Sequence, residues 1–407
     1  MWCDGLVGIA PSSKAFELHN VDNALSTELL NSVQDFMRKV IVVFGTRPEA
    51  IKLAPVIREL RQRAEHCIVN VCVTAQHRQM LDQVLGLFGI VPDHDLDLMT
   101  EDQTPCQVAS SALSRLEPIL KNERPDWVLV QGDTTTTAAA SLAAYYSRIP
   151  VGHVEAGLRT HNKWSPFPEE LNRRVASVAA DLHFAPTERA REALLREGVP
   201  GDKILVTGNT VIDALRWAAL QPFDLATLPL DRACWGDPNL RVLLVTIHRR
   251  ESFGAPLENI LRALRDLALA GDGNIRIVYP VHSNPNVQEP AHRILKNIPN
   301  ITLLPPVDYV TLVHLMKRSY LILTDSGGIQ EEAPGLGVPV LVLREVTERP
   351  EAVEAGAALV VGTKSDQIVR ETMRLLHDPE QHAQMARAVN PFGDGQAARR
   401  IAEALIA

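Results

Sequence analysis

The segment Thr324-Asp325-Ser326-Gly327-Gly328-Ile329-Gln330-Glu331-Glu332 follows an apolar run with a carboxylate, a hydroxyl and two glycines, and then reads as the start of a helix. A helix that begins on glycines offers unpaired N–H groups, the positive end of its dipole and a backbone that a ligand can approach closely. With the Ser326 hydroxyl as a further donor, the loop is expected to hold the phosphates of a nucleotide-type ligand. The plainer alternative is a glycine-containing turn in which Asp325 or Ser326 caps the helix. Glu332 follows the glycines by about one helical turn, placed to accept from a ribose hydroxyl pair.

Three further strand-end segments carry chemistry of other kinds. In Phe44-Gly45-Thr46-Arg47-Pro48-Glu49-Ala50-Ile51-Lys52, Pro48 suits the first turn of a helix, which holds Arg47 in the turn and Lys52 a turn later. Two fixed cations suit a pyrophosphate leaving group; otherwise they are a solvated helix face. No GxGxxG motif stands here, so a nicotinamide or flavin site is unsupported. Asp133 in Gly132-Asp133-Thr134-Thr135-Thr136-Thr137, Glu155 in His153-Val154-Glu155 and Glu169 in Pro168-Glu169-Glu170 place three acids at the ends of successive elements. Singly each reads as a cap or a surface charge; together they read as acid/base groups. The four threonines are expected to cap a helix and face a ligand.

His248, at the end of the first strand of the second half, can contact a phosphate or give a proton to a leaving group. Its alternative is a satisfied structural histidine, the role expected of His153 and His183. A metal pair of His153 and Glu155, two residues apart on one strand and lacking a third ligand, is rejected, and no metal is expected.

These residues need a scaffold that sets strand ends against each other. Short apolar runs at 40–44, 68–73, 127–131, 149–154, 182–185 and 204–207 alternate with amphipathic stretches such as 48–63, 77–88, 106–121 and 134–147. The rhythm repeats with strands at 241–247, 275–280, 301–304, 320–324, 338–343 and 358–361. Near-continuous apolar strands alternating with helices predict an α/β chain with two doubly wound, Rossmann-like sheets. Ligands then bind beyond the carboxyl ends of the strands, where the motifs fall. The expected organisation is an extension at 1–36, an N-terminal domain at 37–207 bearing the acid/base residues, a nucleotide-binding domain at 208–390, and a helix at 391–407 packing back on the first domain. The stretch from about 220 to 239, with Pro222, Pro229, Gly236 and Pro238, is expected to be a surface connection.

Bulk properties narrow the classes. Of 407 residues, 46% are hydrophobic and 22% charged, as in globular proteins. No apolar run approaches the roughly 18–20 residues of a membrane span. A net charge of −8 argues against a broad nucleic-acid face. Five scattered cysteines, Cys3, Cys67, Cys72, Cys106 and Cys234, read as reduced thiols of a cytoplasmic protein. Residues 1–36 lack the pattern of a secretory signal, and the reading here is that Met37 is the true start or the preceding segment a loosely attached extension.

Taken in order, FGTRPEAIK (44–52), TAQHR (74–78), GDTTTT (132–137), HVEAGLRT (153–160), SPFPEE (165–170), GNTVIDAL (208–215), HRRESFG (248–254), PVHSNPNV (280–287), LTDSGGIQEEAP (323–334), TERPEA (347–352) and NPFGDGQA (390–397) closely resemble the bacterial non-hydrolysing UDP-N-acetylglucosamine 2-epimerases. The likeness runs from about residue 39 to 405. It implies a glycosyltransferase-B-like fold with the active site in a cleft between two domains, commonly a homodimer, and no cofactor. It further implies interconversion of UDP-N-acetylglucosamine and UDP-N-acetylmannosamine by elimination of UDP to 2-acetamidoglucal and re-addition, supplying surface polysaccharide synthesis.

Carried over by motif, Asp133, Glu155 and Glu169 become the acid/base groups, while Arg47, Lys52 and His248 stabilise departing UDP. Ser326, Gly327 and Gly328 would cradle its phosphates, Glu332 the ribose and Arg349 the rest of the nucleotide. The segment from Val307 to Leu312 would hold uracil. Gln76, Arg78, Gln79 and His282 match a neighbouring activator site for UDP-N-acetylglucosamine, which implies substrate-primed kinetics. Ile247 departs from the glycine that many relatives carry before the histidine. The rival readings are a glycosyltransferase or a hydrolysing epimerase of the same fold, and a non-catalytic nucleotide-sugar sensor.

Overall fold

The computed structural model describes residues 37–407, apart from 76, 77, 99, 101, 102, 225, 227, 231–236, 238, 239, 271–273 and the side chain of Gln79. The expectation about residues 1–36 therefore lies outside the described residues, as does much of the connection near 220–239.

Strand β1 (Arg38–Phe44) is buried from Val40 to Phe44. Val40, Val42 and Phe44 join one apolar layer while Ile41 and Val43 join another, so the strand is covered on both faces. The other strands of this sheet are β2 (Cys67–Val73), β3 (His94–Asp95), β4 (Trp127–Gln131), β5 (Val151–Val154), β6 (Leu182–Ala185) and β7 (Ile204–Val206). All seven pair in parallel in the order β3-β2-β1-β4-β5-β6-β7. The intervening helices are α1 (Arg47–Arg61), α2 (Arg78–Phe88), α3 (Pro105–Glu123), α4 (Thr135–Tyr146), α5 (Glu169–Ala179) and α6 (Glu188–Arg196).

After α7 (Thr210–Ala218) the second sheet forms from β8 (Arg241–Thr246), β9 (Ile275–Pro280), β10 (Ile301–Leu304), β11 (Leu321–Thr324), β12 (Val340–Val342) and β13 (Ala358–Val360). It is parallel throughout, in the order β10-β9-β8-β11-β12-β13. Its helices are α8 (Ala255–Ala270), α9 (Pro285–Leu295), α10 (Tyr309–Arg318), α11 (Gly327–Gly335), α12 (Pro350–Glu354), α13 (Ser365–His377) and α14 (Pro379–Ala386). Both sheets reverse their strand order at one place, β1 beside β4 and β8 beside β11. Such a reversal opens a crevice at the carboxyl ends of the two strands, because the flanking helices depart to opposite faces.

Helix α7 stitches the halves together. It packs on α1, α10 and α11, and Val211, Ile212 and Leu215 share one apolar layer with Val42 of the first sheet and Leu244 of the second. Helix α15 (Ala397–Ile406) then returns across α1 and α7. Its first N–H groups, from Ala397 and Ala398, are capped by Asp213 at 3.3 and 3.0 Å.

Strand positions match the sequence reading to within one or two residues at each end. The exception is β3, which is too short to leave a periodic signal.

Candidate active site

The loop after β11 is the simplest part. Asp325 is fully buried, and its carboxylate accepts from the backbone N–H of His248 (3.1 Å) and of Arg249 (2.9 Å). The aspartate thus ties the β8 loop to the β11 loop across the strand-order reversal, leaving Ser326 as N-cap of α11 with no side-chain bond across the helix end. The N–H groups at the start of α11 thus have no side-chain cap among the described residues.

That helix end opens on a cleft of about 580 Å³. Arg47, Lys52, Val307, Leu312, Ser326, Gly328, Glu332 and Arg349 line it, with His248 and His282 at its mouth. The two histidine rings stack with centroids 5.8 Å apart. Gly327 lies beneath: a Cβ there would stand 3.3 Å from Arg249 Nη2 and 3.9 Å from the Arg349 guanidinium. Tyr309 donates to Glu332 at 2.9 Å, and burial pushes the Glu332 carboxyl up to about 7.

The three acids of the first half do not themselves line that cleft; Glu155 reaches it through Lys52. Glu155 follows β5 with φ of +63°, in the left-handed region that few side chains adopt. Glu155 therefore lies just past the end of β5 rather than within the strand. His153 stays inside β5, where its Nε2 meets the Gly132 carbonyl at 2.7 Å and burial holds it down to about 3. Glu155 instead turns to Lys52, whose Nζ lies 2.6 Å from both carboxylate oxygens, and also accepts from Gln131 and Asn209. Burial opposes its ionisation, but Lys52 and Arg349 outweigh that and hold it below the ordinary range. Lys52 is held above its own range, because Glu155 and Glu331 outweigh its burial.

Asp133 sits after β4 and pairs with Arg173 at 2.5 Å. Burial raises its carboxyl; Arg173 opposes this, while Glu155 and Glu169 add to it. Glu169 opens α5, and its buried Oε2 has no hydrogen-bond partner among the described residues. The three acids thus share one charged neighbourhood, with environments that differ as acid/base partners require.

Two of the four threonines after Asp133 do not face a ligand as expected. Thr136 and Thr137 are fully buried: Thr136 meets Thr74 at 2.9 Å, and Thr137 donates to the Gln131 carbonyl at 2.7 Å. Only Thr134 acts as the anticipated cap, accepting from Thr137 N. Their inward turn serves Glu49, a buried carboxylate that accepts from Gly45 N, Thr46 N, Thr46 Oγ1, Thr134 Oγ1 and Thr137 Oγ1. Burial nonetheless raises the Glu49 carboxyl.

Of the residues matched to an activator site, His282 lines the cleft, whereas Arg78 is exposed and paired with Asp95 at 2.6 Å and Asp82 at 3.2 Å. Gln76 and the Gln79 side chain lie outside the described residues. Ile247 is buried, and its carbonyl accepts from Tyr279 OH at 3.3 Å.

Sequence reasoning missed Glu49, Asn209 and Glu331. Glu49 had a readable signal, since Thr46-Arg47-Pro48-Glu49 is a capping box. Asn209 is legible as a helix cap but not as a bridge, and Glu331 differs from Glu332 only in which way the helix turns it.

Two parallel sheets with a cleft at the strand-order reversals, lined by Arg47 and Lys52 from one half and by an open helix end, Glu331, Glu332 and Arg349 from the other, define a glycosyltransferase-B-like α/β enzyme. The glycosyltransferase of kitacinnamycin shares that fold, with a TM-score of 0.62 at 14% identity over 91% of this chain and 100% of its own. More specifically, the family model for UDP-N-acetylglucosamine 2-epimerase matches residues 58–406. The UDP-N-acetylglucosamine 2-epimerase of Salmonella typhimurium is 56% identical over 370 residues, covering 90% of this chain and 98% of its own. The UDP-GlcNAc 2-epimerase of Neisseria meningitidis, solved bound to UDP-GlcNAc, has a TM-score of 0.81 and 48% identity, covering 90% of this chain and 99% of its own. The enzyme of Methanocaldococcus jannaschii, solved with UDP-GlcNAc and UDP, has a TM-score of 0.74 and 34% identity over 90% and 99% of the two chains. The chain belongs to the UDP-N-acetylglucosamine 2-epimerase family, a family of isomerases.

Proposed function

We propose that this chain interconverts UDP-N-acetylglucosamine and UDP-N-acetylmannosamine by eliminating UDP and adding it back. The observation that carries the proposal is one cleft in which the uncapped end of α11 and Arg349 stand with Arg47 and with Lys52, whose ammonium is paired with the buried Glu155. A carboxylate takes the C2 proton, the C2–H electron pair becomes the C1=C2 bond of 2-acetamidoglucal, and the C1–O pair leaves on UDP. Return of UDP to C1 and of a proton to the other face of C2 completes the inversion. Asp133, Glu155 and Glu169 supply the proton transfers. Arg47, Lys52 and His248 balance the charge on the departing diphosphate, Ser326, Gly327 and Gly328 hold its oxygens, and Arg349 completes that shell. Glu332 accepts from the ribose, and Val307 to Leu312 flank the base.

His282 at the cleft mouth, with Gln76, Arg78 and Gln79, forms a second, activating site for UDP-N-acetylglucosamine. The working form is a homodimer in the cytoplasm, and the product feeds surface polysaccharide synthesis.

Proton NMR of UDP-N-acetylglucosamine incubated with the enzyme in heavy water tests the reading. Deuterium at C2 with the UDP linkage retained is expected. Accumulation of free N-acetylmannosamine with UDP would make it a hydrolysing enzyme, and no exchange at all would overturn the proposal.

A further inference from the structure

Each half of the molecule contributes one buried carboxylate, Glu155 and Glu331, paired with a cation that lines the cleft, and a single side chain touches both. Asn209, 2% exposed, donates through Nδ2 to Glu155 Oε1 at 3.0 Å and to Glu331 Oε2 at 2.8 Å. Its Oδ1 accepts from Val211 N at 3.1 Å, capping α7. Both amide hydrogens are therefore used, and the opposite flip would aim a carbonyl oxygen at two carboxylates. Serine, threonine and aspartate also cap helices well, but a hydroxyl carries one donor and a carboxylate none. Capping alone does not require asparagine; bridging two carboxylates while capping does.

The position along the chain adds a mechanical reason. The two crossovers between the sheets run side by side at this point, with Asn209 N donating to Phe392 O at 2.7 Å. Gly208 (φ +86°) and Gly393 (φ +125°) meet backbone to backbone, so that a Cβ on either would lie 3.1 Å from the other's Cα. On either side of the asparagine stands an ion pair whose cation lines the cleft: Lys52 with Glu155, and Arg349 with Glu331. Lys52, Glu155, Asn209, Glu331 and Arg349 thus make one run of contacts from the first domain to the second.

We propose that Asn209 is a positioning residue for the epimerisation, fixing Glu155 for proton transfer and tying it to the Glu331–Arg349 pair on the nucleotide side. This rests on the proposed reading of the cleft. Glu155 is also faced by Lys52 from α1, Gln131 from β4, and at longer range Asp133 and Arg349. Taking one donor from a carboxylate makes its ionised form less favourable.

Asn209→Ser in the full chain separates the two roles, since the serine hydroxyl can still cap α7 but cannot donate to both carboxylates. The expected result is a kcat lowered by about 10- to 100-fold, the size expected for one hydrogen bond to a charged group. The acid limb of the pH profile of kcat should move to higher pH, with UDP affinity within about threefold, as expected of a residue that acts on the chemical step. Asn209→Asp, which keeps the cap and the shape but sets a third carboxylate against two, should lose more turnover. A wild-type kcat and acid limb in Asn209→Ser would overturn the proposal. So would a kcat loss matched by an equal loss of UDP affinity with the acid limb unmoved, because that is a packing defect. A wild-type enzyme that fails to place deuterium at C2 removes the epimerase reading and this proposal with it, whereas an unaffected Asn209→Ser in an active enzyme removes only this one.

Discussion

The two rims of the cleft share a topology and use it differently. In both, a buried carboxylate gathers the N–H groups of the loop that follows the sheet's first strand. In the first domain that carboxylate is Glu49, which comes from the helix the loop leads into and occupies Gly45 N and Thr46 N. In the second it is Asp325, which comes from the neighbouring strand end and occupies His248 N and Arg249 N. The consequence lies in what remains open. Glu49 closes the amino end of α1 with a carboxylate, which an anion would find occupied, and the side chains around it are cations and acids paired with one another. Asp325 spends itself on the adjacent loop, so the amino end of α11 stays open at two glycines. On the proposed function, the same reversal of strand order makes a proton-transfer rim in one half and an anion-holding rim in the other.

This division of labour can be broken most decisively by Glu155→Gln. Turnover is expected to fall by about 10²- to 10⁴-fold, the usual contribution of a positioned acid/base group. UDP affinity, measured by calorimetry, should stay near wild type; an equal fall in both would show that the rims do not divide the work. Gly328→Ala addresses the other rim. Its new Cβ would sit 3.5 Å from Glu332 Oε1 and 3.9 Å from Ser326 Oγ, ordinary contacts that the fold tolerates. It would nevertheless crowd the space over the helix end, and UDP affinity should drop on the order of 10-fold or more, as when a hydrogen bond to a charged group is lost. Unchanged UDP binding would move the phosphates elsewhere.

The smallest expected effect is a pH dependence. Burial raises the Glu332 carboxyl to about 7, so the unliganded site holds it neutral in mild acid. On folding, a raised carboxyl favours the native state most below the ordinary carboxylate range, and that contribution is lost as pH climbs through about 7. Ribose hydroxyls bind better to the ionised acceptor, so UDP affinity should run the other way. It should increase by less than about tenfold between roughly pH 6 and 8, and the slope should vanish in Glu332→Gln. A slope that survives that substitution would assign the effect to another group.

Much of this could be read from residue order alone. Apolar runs such as Val340-Leu341-Val342 read as buried parallel strands, because they are short, rich in β-branched residues, bounded by turn signals and repeated between helical stretches. Glycines and acids placed just after such strands announce a crevice, since parallel sheets bind ligands at their carboxyl ends. Residue order could not report backbone handedness or the far partner of a polar group. Glu155 follows its strand with a positive φ and meets Lys52, Gln131 and Asn209 from three distant stretches of chain. The threonines after Asp133 read as ligand-facing until Glu49, 85 residues before Thr134, drew them inward. What the sequence by itself determined is the periodicity of burial and the residue types at each strand end, which are local properties of the chain. Only the tertiary structure decided which carboxylate meets which cation and which helix end stays open, because those pairings depend on charges brought together from far apart in a medium too dry to leave them unmatched.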